Sequence, residues 1–364
     1  MSLAEKISKI IKNKGPISLY KFIEMALMDE DYGYYKSRNP FGSSGDFITA
    51  PEVSQMFGEL IAAWLITAWQ EIGSPEKAAL VELGPGRGTM MNDIIRVAAK
   101  VPGLLSRISI HMVEESEALR DIQKRTLEKS GRGVEINWHR SFSEIPDVPI
   151  ILIANEFFDA LPIHQFVYTS NGWRERMVTE NKKGELEFCL SQEKTPACKM
   201  ISKEFLISEQ GAVFEFSPAA KDIIKEISLH IKTYGGSALI IDYGYFFNEF
   251  KDSLQAVKNH KFHKVLSDPG QADITTHVNF EMLAETAQEE GIYAFGDTTQ
   301  GEFLLAMGIE LRATMLAHNA KQKKREMIIS EIKRLISPQE MGTLFKCLAL
   351  TDKAEPTPYG FNKP

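Results

Sequence analysis

An open α/β fold, with a mostly parallel sheet covered by helices on both faces, is what this sequence of 364 residues predicts. Three observations carry the prediction. From Leu80 onward, short apolar runs alternate with helical patterns, the signature of strands joined by crossover helices. The run "PIILIAN" at Pro149–Asn155 is apolar enough to be buried on both faces of a sheet. The stretch "VELGPGRGTM" at Val81–Met90 places three glycines at alternate positions between a strand-like run and a helix-like one. Glycines so spaced are entropically expensive, and some backbone requirement must account for them.

Taken in order, Leu3, Ile7, Ile10 and Ile11 are spaced like one face of a short amphipathic helix. Thr49 and Glu52 form a capping-box pattern with Pro51 in the first turn. Val53, Met56, Phe57, Leu60, Ile61, Trp64 and Leu65 then follow helical spacing and read as a core stripe. Strands are expected at Ala79–Leu83, Ile108–Glu114, Val134–Trp138 and Pro149–Asn155, with helices at Thr89–Ala99 and up to Leu127. The alternation then breaks. From 163 to 215, β-like runs separated by Asn171-Gly172 and Lys183-Gly184 predict an antiparallel insertion. A helix at Pro218–Thr233 and a strand at Ser237–Gly244 resume the sheet. Then come a helix near Phe280–Glu290, a strand at Ile292–Phe295, helical segments near Gly301–His318 and Lys321–Ile336, and an apolar run at Leu344–Leu350. The expected division is an N-terminal helical or lid region over 1–75, a core over 76–162 and 216–364, and an inserted β lobe over 163–215.

Composition narrows the function. A hydrophobic fraction of 43% with 25% charged residues is ordinary for a soluble globular chain. A net charge of −7 argues against a general nucleic-acid surface, and Lys321, Lys323, Lys324 and Arg325 read as the solvated face of a helix. Cys189, Cys198 and Cys347 form no CxxC pair, which suggests neither a disulfide framework nor a zinc site, and no metal is expected. The start lacks the character of a signal or transit peptide, and no apolar run reaches the roughly 18 residues of a membrane span. A cytoplasmic protein is the expectation.

The glycines narrow it further. A dinucleotide fingerprint reads G-x-G-x-x-G, whereas Gly84, Gly86 and Gly88 give G-x-G-x-G with Thr89 following. Glu82 stands two positions before the first glycine, where a carboxylate favours a cationic ligand over a phosphate. S-adenosyl-L-methionine (SAM) carries a sulfonium and an amino-acid head, and suits that arrangement. Glu114 ends the second strand, where a carboxylate can accept both ribose hydroxyls. An NAD-linked oxidoreductase places an acid there too and remains an alternative, with the glycine spacing against it.

At this point the chain resembles the MidA-like family of class I SAM-dependent methyltransferases over nearly its whole length. The resemblance rests on "GDFITAPEVSQMFGE" (Gly45–Glu59), "VELGPGRGTM", "VEESEALRDIQ" (Val113–Gln123), "ANEFFDALPIHQF" (Ala154–Phe166), "LIIDYG" (Leu239–Gly244), "DITTHVNF" (Asp273–Phe280) and "TQGEFLLAMGI" (Thr299–Ile309). It implies a Rossmann-like, seven-stranded sheet with added N- and C-terminal helices, in which Leu344–Leu350 is an antiparallel last strand. It also implies SAM as cofactor and methylation of an arginine on a protein, since mitochondrial members assemble respiratory complex I and modify one of its subunits. The short N-terminus suits a bacterial member.

Ligands of open α/β sheets sit beyond the C-terminal strand ends. That places Glu82, Gly84, Pro85, Gly86, Gly88, Glu114 and Asn155 at the cofactor, with Asp46, Thr49 and Gln55 as polar contacts from a covering segment. Arginine methylation needs carboxylates that grip the guanidinium and orient one nitrogen, and Glu156 with Asp159 is the candidate pair. The alternative is that Asp159 caps a helix while Glu156 bonds backbone. Asp242 and Asp273 are the next acids in line, Tyr243 is a further channel-lining candidate, and His277 reads as structural. A non-catalytic, SAM-binding assembly chaperone is also compatible with these residues.

Overall fold

Buried, mostly apolar strands build the main sheet. In the computed structural model, which describes residues 2–37, 49–128, 134–201, 205–247, 250–318 and 320–362, seven strands form one sheet. They are β1 (Ala78–Leu83), β2 (Ile108–Val113), β3 (Ile136–His139), β4 (Ile150–Asn155), β5 (Gly236–Tyr245), β6 (Tyr293–Thr299) and β7 (Phe345–Thr351). Their order is β6-β7-β5-β4-β1-β2-β3. β7 runs antiparallel to both β5 and β6, and the remaining neighbours are parallel. A two-residue strand, Val278–Asn279, pairs parallel beside the last residues of β5, Gly244 and Tyr245.

Every residue of β1 and β4 is buried, as an apolar parallel strand covered on both faces must be. Each fully buried Val, Leu or Ile contributes on the order of 1.5–3 kcal/mol, so these central strands anchor the unit. The register sets Leu83 beside Val113 and Ala154, and Asn155 beside Ile241. The C-terminal ends of β1, β2, β4 and β5 therefore open at one edge of the sheet.

The expected elements recur with three corrections. The third strand begins at Ile136 rather than Val134. The helical segment expected over 301–318 is two helices, Gln300–Ala306 and Ile309–His318, parted at Gly308, whose φ of 85° is left-handed. The Thr49–Glu52 capping box does not form. Thr49 is an N-cap without a side-chain bond, and it opens only a four-residue helix, Ala50–Val53. Ser54 in extended conformation breaks the chain there, and its hydroxyl accepts from Met56 N to start the long helix Gln55–Glu71. The pattern was locally satisfied, but the stronger cap lies five residues on.

That long helix carries a buried charge network. The Glu59 carboxylate accepts from Arg96 Nη1 at 2.7 Å, Arg312 Nε at 2.6 Å and Arg312 Nη2 at 3.0 Å, while Arg96 also binds Asp93 at 2.6 Å. Burial raises the Glu59 carboxyl, but the bonds from Arg312 and Arg96 outweigh it and hold the group below the usual carboxylate range. A carboxylate so depressed stabilises the fold fully above its ordinary value, and that contribution is lost as pH falls through the lower folded value. Glu59→Ala leaves two partly buried guanidinium groups facing each other. It should lower stability by about 2 kcal/mol, less than a fully buried pair because both arginines reach solvent. Urea unfolding at neutral pH checks this.

The chain separates into two compact units, one of 1–47, 159–220 and 248–277, the other of 48–158, 221–247 and 278–364. The sheet belongs to the second. The first joins the N-terminal helices Leu3–Lys14 and Leu19–Met28 to the strands of the expected insertion. There Ile17–Ser18 pairs with Gly172–Glu180, which pairs in turn with His164–Thr169 and Leu186–Leu190, and His164–Thr169 pairs with Val213–Phe216. A three-stranded sheet of Gln255–Lys258, Lys261–His263 and Asp273–Thr275 completes it. Leu3, Ile7, Phe22, Val178 and Ile274 share its core, which is why the expected lobe and the expected N-terminal region fall together.

Candidate functional site

The three glycines of the turn all need the left-handed region. Gly84, Gly86 and Gly88 have φ of 59°, 53° and 78°, where side chains with a Cβ are strained. A Cβ on Gly84 would lie 2.8 Å from the Phe157 ring, whereas one on Gly88 would meet the Gln123 backbone at 3.4 Å, an ordinary contact. Between them, Pro85 is buried and its carbonyl accepts from Gly88 N at 2.8 Å, closing the turn onto helix Thr89–Ala98.

Glu82, on the β1 side of this turn, is only 2% exposed. Its Oε2 is buried with no hydrogen-bond partner among the described residues. Burial pushes its carboxyl up to about 8. An ionisable group buried with an unmatched oxygen is costly unless a ligand completes it. Asn155, at the end of β4, repeats the feature: it is 6% exposed, and its Oδ1 has no partner among the described residues.

Glu114 follows β2. Its Oε1 accepts from Ser116 N at 2.8 Å and its Oε2 from Gln123 Nε2 at 3.3 Å. Gln123, fully buried, also donates to the Gly86 carbonyl at 2.9 Å and accepts from Trp138 Nε1 at 2.9 Å. One side chain thus ties the glycine turn to Glu114. Sequence reasoning did not single out Gln123, because its partners are on three separate elements and no spacing announces them.

Glu156 has φ of 51°, a left-handed conformation uncommon for a residue with a long side chain. Its Oε1 accepts from Ala50 N at 2.9 Å and from Asn155 Nδ2 at 3.2 Å, and its own N–H donates to the Ile241 carbonyl at 2.9 Å. Strain of this kind concentrates at functional sites. Asp242, wholly buried, accepts from Phe157 N at 3.1 Å, Phe158 N at 2.9 Å and Tyr243 N at 2.9 Å. It caps the chain leaving β4. Tyr243 is buried beside the Phe345 ring.

The other expected residues are placed as follows. Gln55 is exposed at the first position of its helix, Thr49 caps the four-residue helix, and Asp46 lies outside the described residues. Asp159 falls in the other unit from Glu156, so the expected pair is divided by the unit boundary. There its carbonyl accepts from Thr276 N at 3.0 Å. In the same unit Tyr35 donates to both Asp273 oxygens, at 3.0 and 3.2 Å, and burial with the nearby Asp273 and Asp159 charges pushes the Tyr35 phenol well up. His277 N donates to Ser253 Oγ at 2.9 Å.

The arrangement fits a cofactor with a cationic head: a turn of three left-handed glycines, an unmatched buried carboxyl oxygen, and a second carboxylate at the next strand end. Comparison with known proteins agrees. A family model of S-adenosyl-L-methionine-dependent methyltransferases matches residues 60–298. The chain is 37% identical to the mitochondrial protein arginine methyltransferase NDUFAF7 of Danio rerio, over 95% of this chain and 86% of that one. With its Homo sapiens counterpart it shares 36% identity over 93% of this chain and 81% of that one. A Burkholderia thailandensis protein described as a "likely methyl transferase", bound to S-adenosyl-homocysteine, superposes with a TM-score of 0.83 at 26% identity, covering 96% of this chain and 91% of that one.

Proposed function

The chain belongs to the MidA-like family of SAM-dependent methyltransferases, and on that premise we propose that it methylates an arginine side chain of a protein, with Glu156 as the acid that grips the guanidinium. The enzyme class and the cofactor follow from the family. The observation that carries it is the unmatched Glu82 oxygen beside three left-handed glycines. The relatives named as protein arginine methyltransferases support the choice of acceptor. The resemblance that implies a respiratory complex I subunit as the acceptor also implies a compartment shared with that complex's assembly, the cytoplasm in a bacterium.

When bound, SAM supplies an electrophilic methyl group on a sulfonium centre. Gly84, Gly86 and Gly88 would let backbone pass against it, Glu82 would meet the cationic end, Glu114 would accept from the ribose hydroxyls, and Asn155 would offer its unmatched oxygen. Glu156, fixed at one oxygen by Ala50 N and Asn155 Nδ2, would hold the acceptor guanidinium and localise its charge. Because arginine's resting pKa is far above neutral, that orientation matters more than a strong base. The nitrogen that gains the methyl group gives up one proton, which the Glu156 carboxylate would accept and pass on to water.

Glu82 gives the proposal a pH signature. With a folded value of about 8, Glu82 is protonated at neutral pH in the free protein, and a cationic ligand must displace that proton. SAM affinity should therefore rise by up to about tenfold per pH unit below 8 and level off above it. The fold's own stability should move oppositely. A raised carboxyl binds a proton that the unfolded chain has lost, so stability falls between the ordinary Glu value and about 8. Glu82→Gln should remove both dependences, as calorimetry and urea unfolding across pH 6–9 will reveal.

The direct test of function is to incubate the protein with methyl-labelled SAM and an extract of cells lacking it, then locate the label by mass spectrometry. Label on an arginine of one protein is expected. Label on RNA, or on another residue type, rejects the acceptor assignment. SAM binding without any labelled product favours the chaperone alternative.

A further inference from the structure

Three contacts radiate from the four-residue helix Ala50–Val53, and each reaches a different part of the sheet unit. At its start, Ala50 N holds Glu156 Oε1 at 2.9 Å. In its middle, Glu52 faces Arg87 of the glycine turn at 3.7 Å. At its end, the Ser54 hydroxyl donates to Glu331 Oε2 at 2.7 Å, on the C-terminal helix Gln322–Ile336. Ser54 is 5% exposed, and the same Oγ accepts from Met56 N at 3.3 Å. Met56, Ala313 and Ile328 form a small apolar cluster at this junction, joining the start of the long helix to both C-terminal helices. Arg312, on Ile309–His318, adds its ion pair with Glu59 one turn further on.

The break at Ser54 matters to the direction of the Ala50 N–H. A continuous helix from Thr49 would fix that N–H by its own geometry. Here the short helix is separated from the long one by an extended residue with φ −156° and ψ 138°. Four residues cannot hold themselves in place, since a single turn is below the length at which a helix is stable alone. Its orientation is set by what its ends are tied to. Glu52–Arg87 is a long contact with a 40% exposed arginine and contributes little. The Ser54–Glu331 bond is a charge-assisted hydrogen bond to a buried donor, and it is the stronger tether.

We infer that Glu331, acting through Ser54, is a positioning residue for methyl transfer: the C-terminal helices hold the short helix so that the Ala50 N–H keeps the Glu156 carboxylate aimed. The inference rests on the reading of Glu156 as the guanidinium-gripping acid. It assigns the C-terminal helical addition a part in catalysis, which neither its distance along the sequence from the glycine turn nor its solvated basic face suggests.

The experiment compares Glu331→Ala, Ser54→Ala, the double variant and Glu331→Gln. Glutamine keeps an oxygen that accepts from the Ser54 hydroxyl. Two readouts are taken. The first is amide hydrogen exchange at Ala50, measured by NMR, which needs no acceptor. The second is kcat for methyl transfer to the acceptor identified above, with SAM Kd measured separately. Glu331→Ala and Ser54→Ala should each speed Ala50 exchange and lower kcat about tenfold, with SAM Kd and acceptor KM within about threefold of wild type. The double variant should be no worse than either single one, and Glu331→Gln, which keeps the acceptor oxygen but not its charge, should lose clearly less than Glu331→Ala. Wild-type exchange and kcat in Glu331→Ala overturn the inference. So does an equal loss in Glu331→Gln, or a loss that follows only the unfolding midpoint. If Ala50 exchange responds as expected but Glu156→Gln itself transfers at the wild-type rate, the tether stands as structure while the catalytic reading of Glu156 fails, and with it the inference.

Discussion

Glu156→Gln should lower the rate of methyl transfer by at least about 100-fold, near 3 kcal/mol of transition-state stabilisation, while SAM affinity stays within about threefold. The variant isolates charge from shape. Gln retains an oxygen to accept from Ala50 N and Asn155 Nδ2, so the local geometry built on Oε1 at 2.9 and 3.2 Å survives. What disappears is the negative charge facing the guanidinium, at the step where its positive charge must be localised away from the attacking nitrogen. The proposed SAM contacts lie at Glu82, the glycines, Glu114 and the Asn155 oxygen, and the Gln oxygen still accepts from Asn155 Nδ2, which accounts for the unchanged affinity. Single-turnover transfer with saturating SAM reads the effect. A wild-type rate returns Glu156 to a structural role, and Asp242 is then a poor replacement, since its oxygens accept from three backbone amides. Asp159 and Asp273 are the acids to vary next.

Gly84→Val should abolish SAM binding, a loss of at least about 100-fold in affinity. Two penalties act together. At φ 59° a β-branched residue is strained by roughly 1–2 kcal/mol. Its first side-chain carbon also starts 2.8 Å from the Phe157 ring, a contact that cannot persist. Relief requires moving either Phe157, next to Glu156, or the turn itself. The variant should remain folded, because the sheet's apolar strands dominate its stability, and circular dichroism with an unfolding curve checks that. If the folded variant binds SAM as the wild type does, the turn is only a strand-to-helix connection. Gly88→Ala is the milder companion, with its Cβ at 3.4 Å from Gln123, and should weaken binding to a smaller degree.

The glycine turn of the candidate site was legible in the sequence. Glycine spacing is a local signal tied to a backbone requirement, and all three glycines do adopt left-handed φ. Apolar runs of β-branched residues marked the central strands for the same reason: burial on both faces leaves no polar alternation. The antiparallel placement of β7, by contrast, came from the resemblance, since nothing in "LFKCLAL" states a direction. What escaped is non-local. Gln123 joins Gly86, Glu114 and Trp138 across separate elements. The left-handed backbone of Glu156 is imposed by its surroundings, and no sequence signal marks a glutamate for it. The hairpin of Gln255–Lys258 and Lys261–His263 turns on Asn259 and His260, both at positive φ without a glycine, so the usual marker was missing. The union of 1–47 with the inserted strands depends on Ile17 pairing with Val178. A two-residue strand is too short to be seen as one until its partner is known.

Among all these tests, a crystal structure of the complex with S-adenosyl-homocysteine addresses the cofactor seat most directly. The amino-acid head is expected at the Glu82 and Asn155 oxygens that lack a partner among the described residues, the ribose hydroxyls on the Glu114 carboxylate, and the backbone of Gly84–Gly88 against the ligand. A ligand bound beyond a different strand end, with the Glu82 and Asn155 oxygens still buried and unpartnered, would contradict this placement.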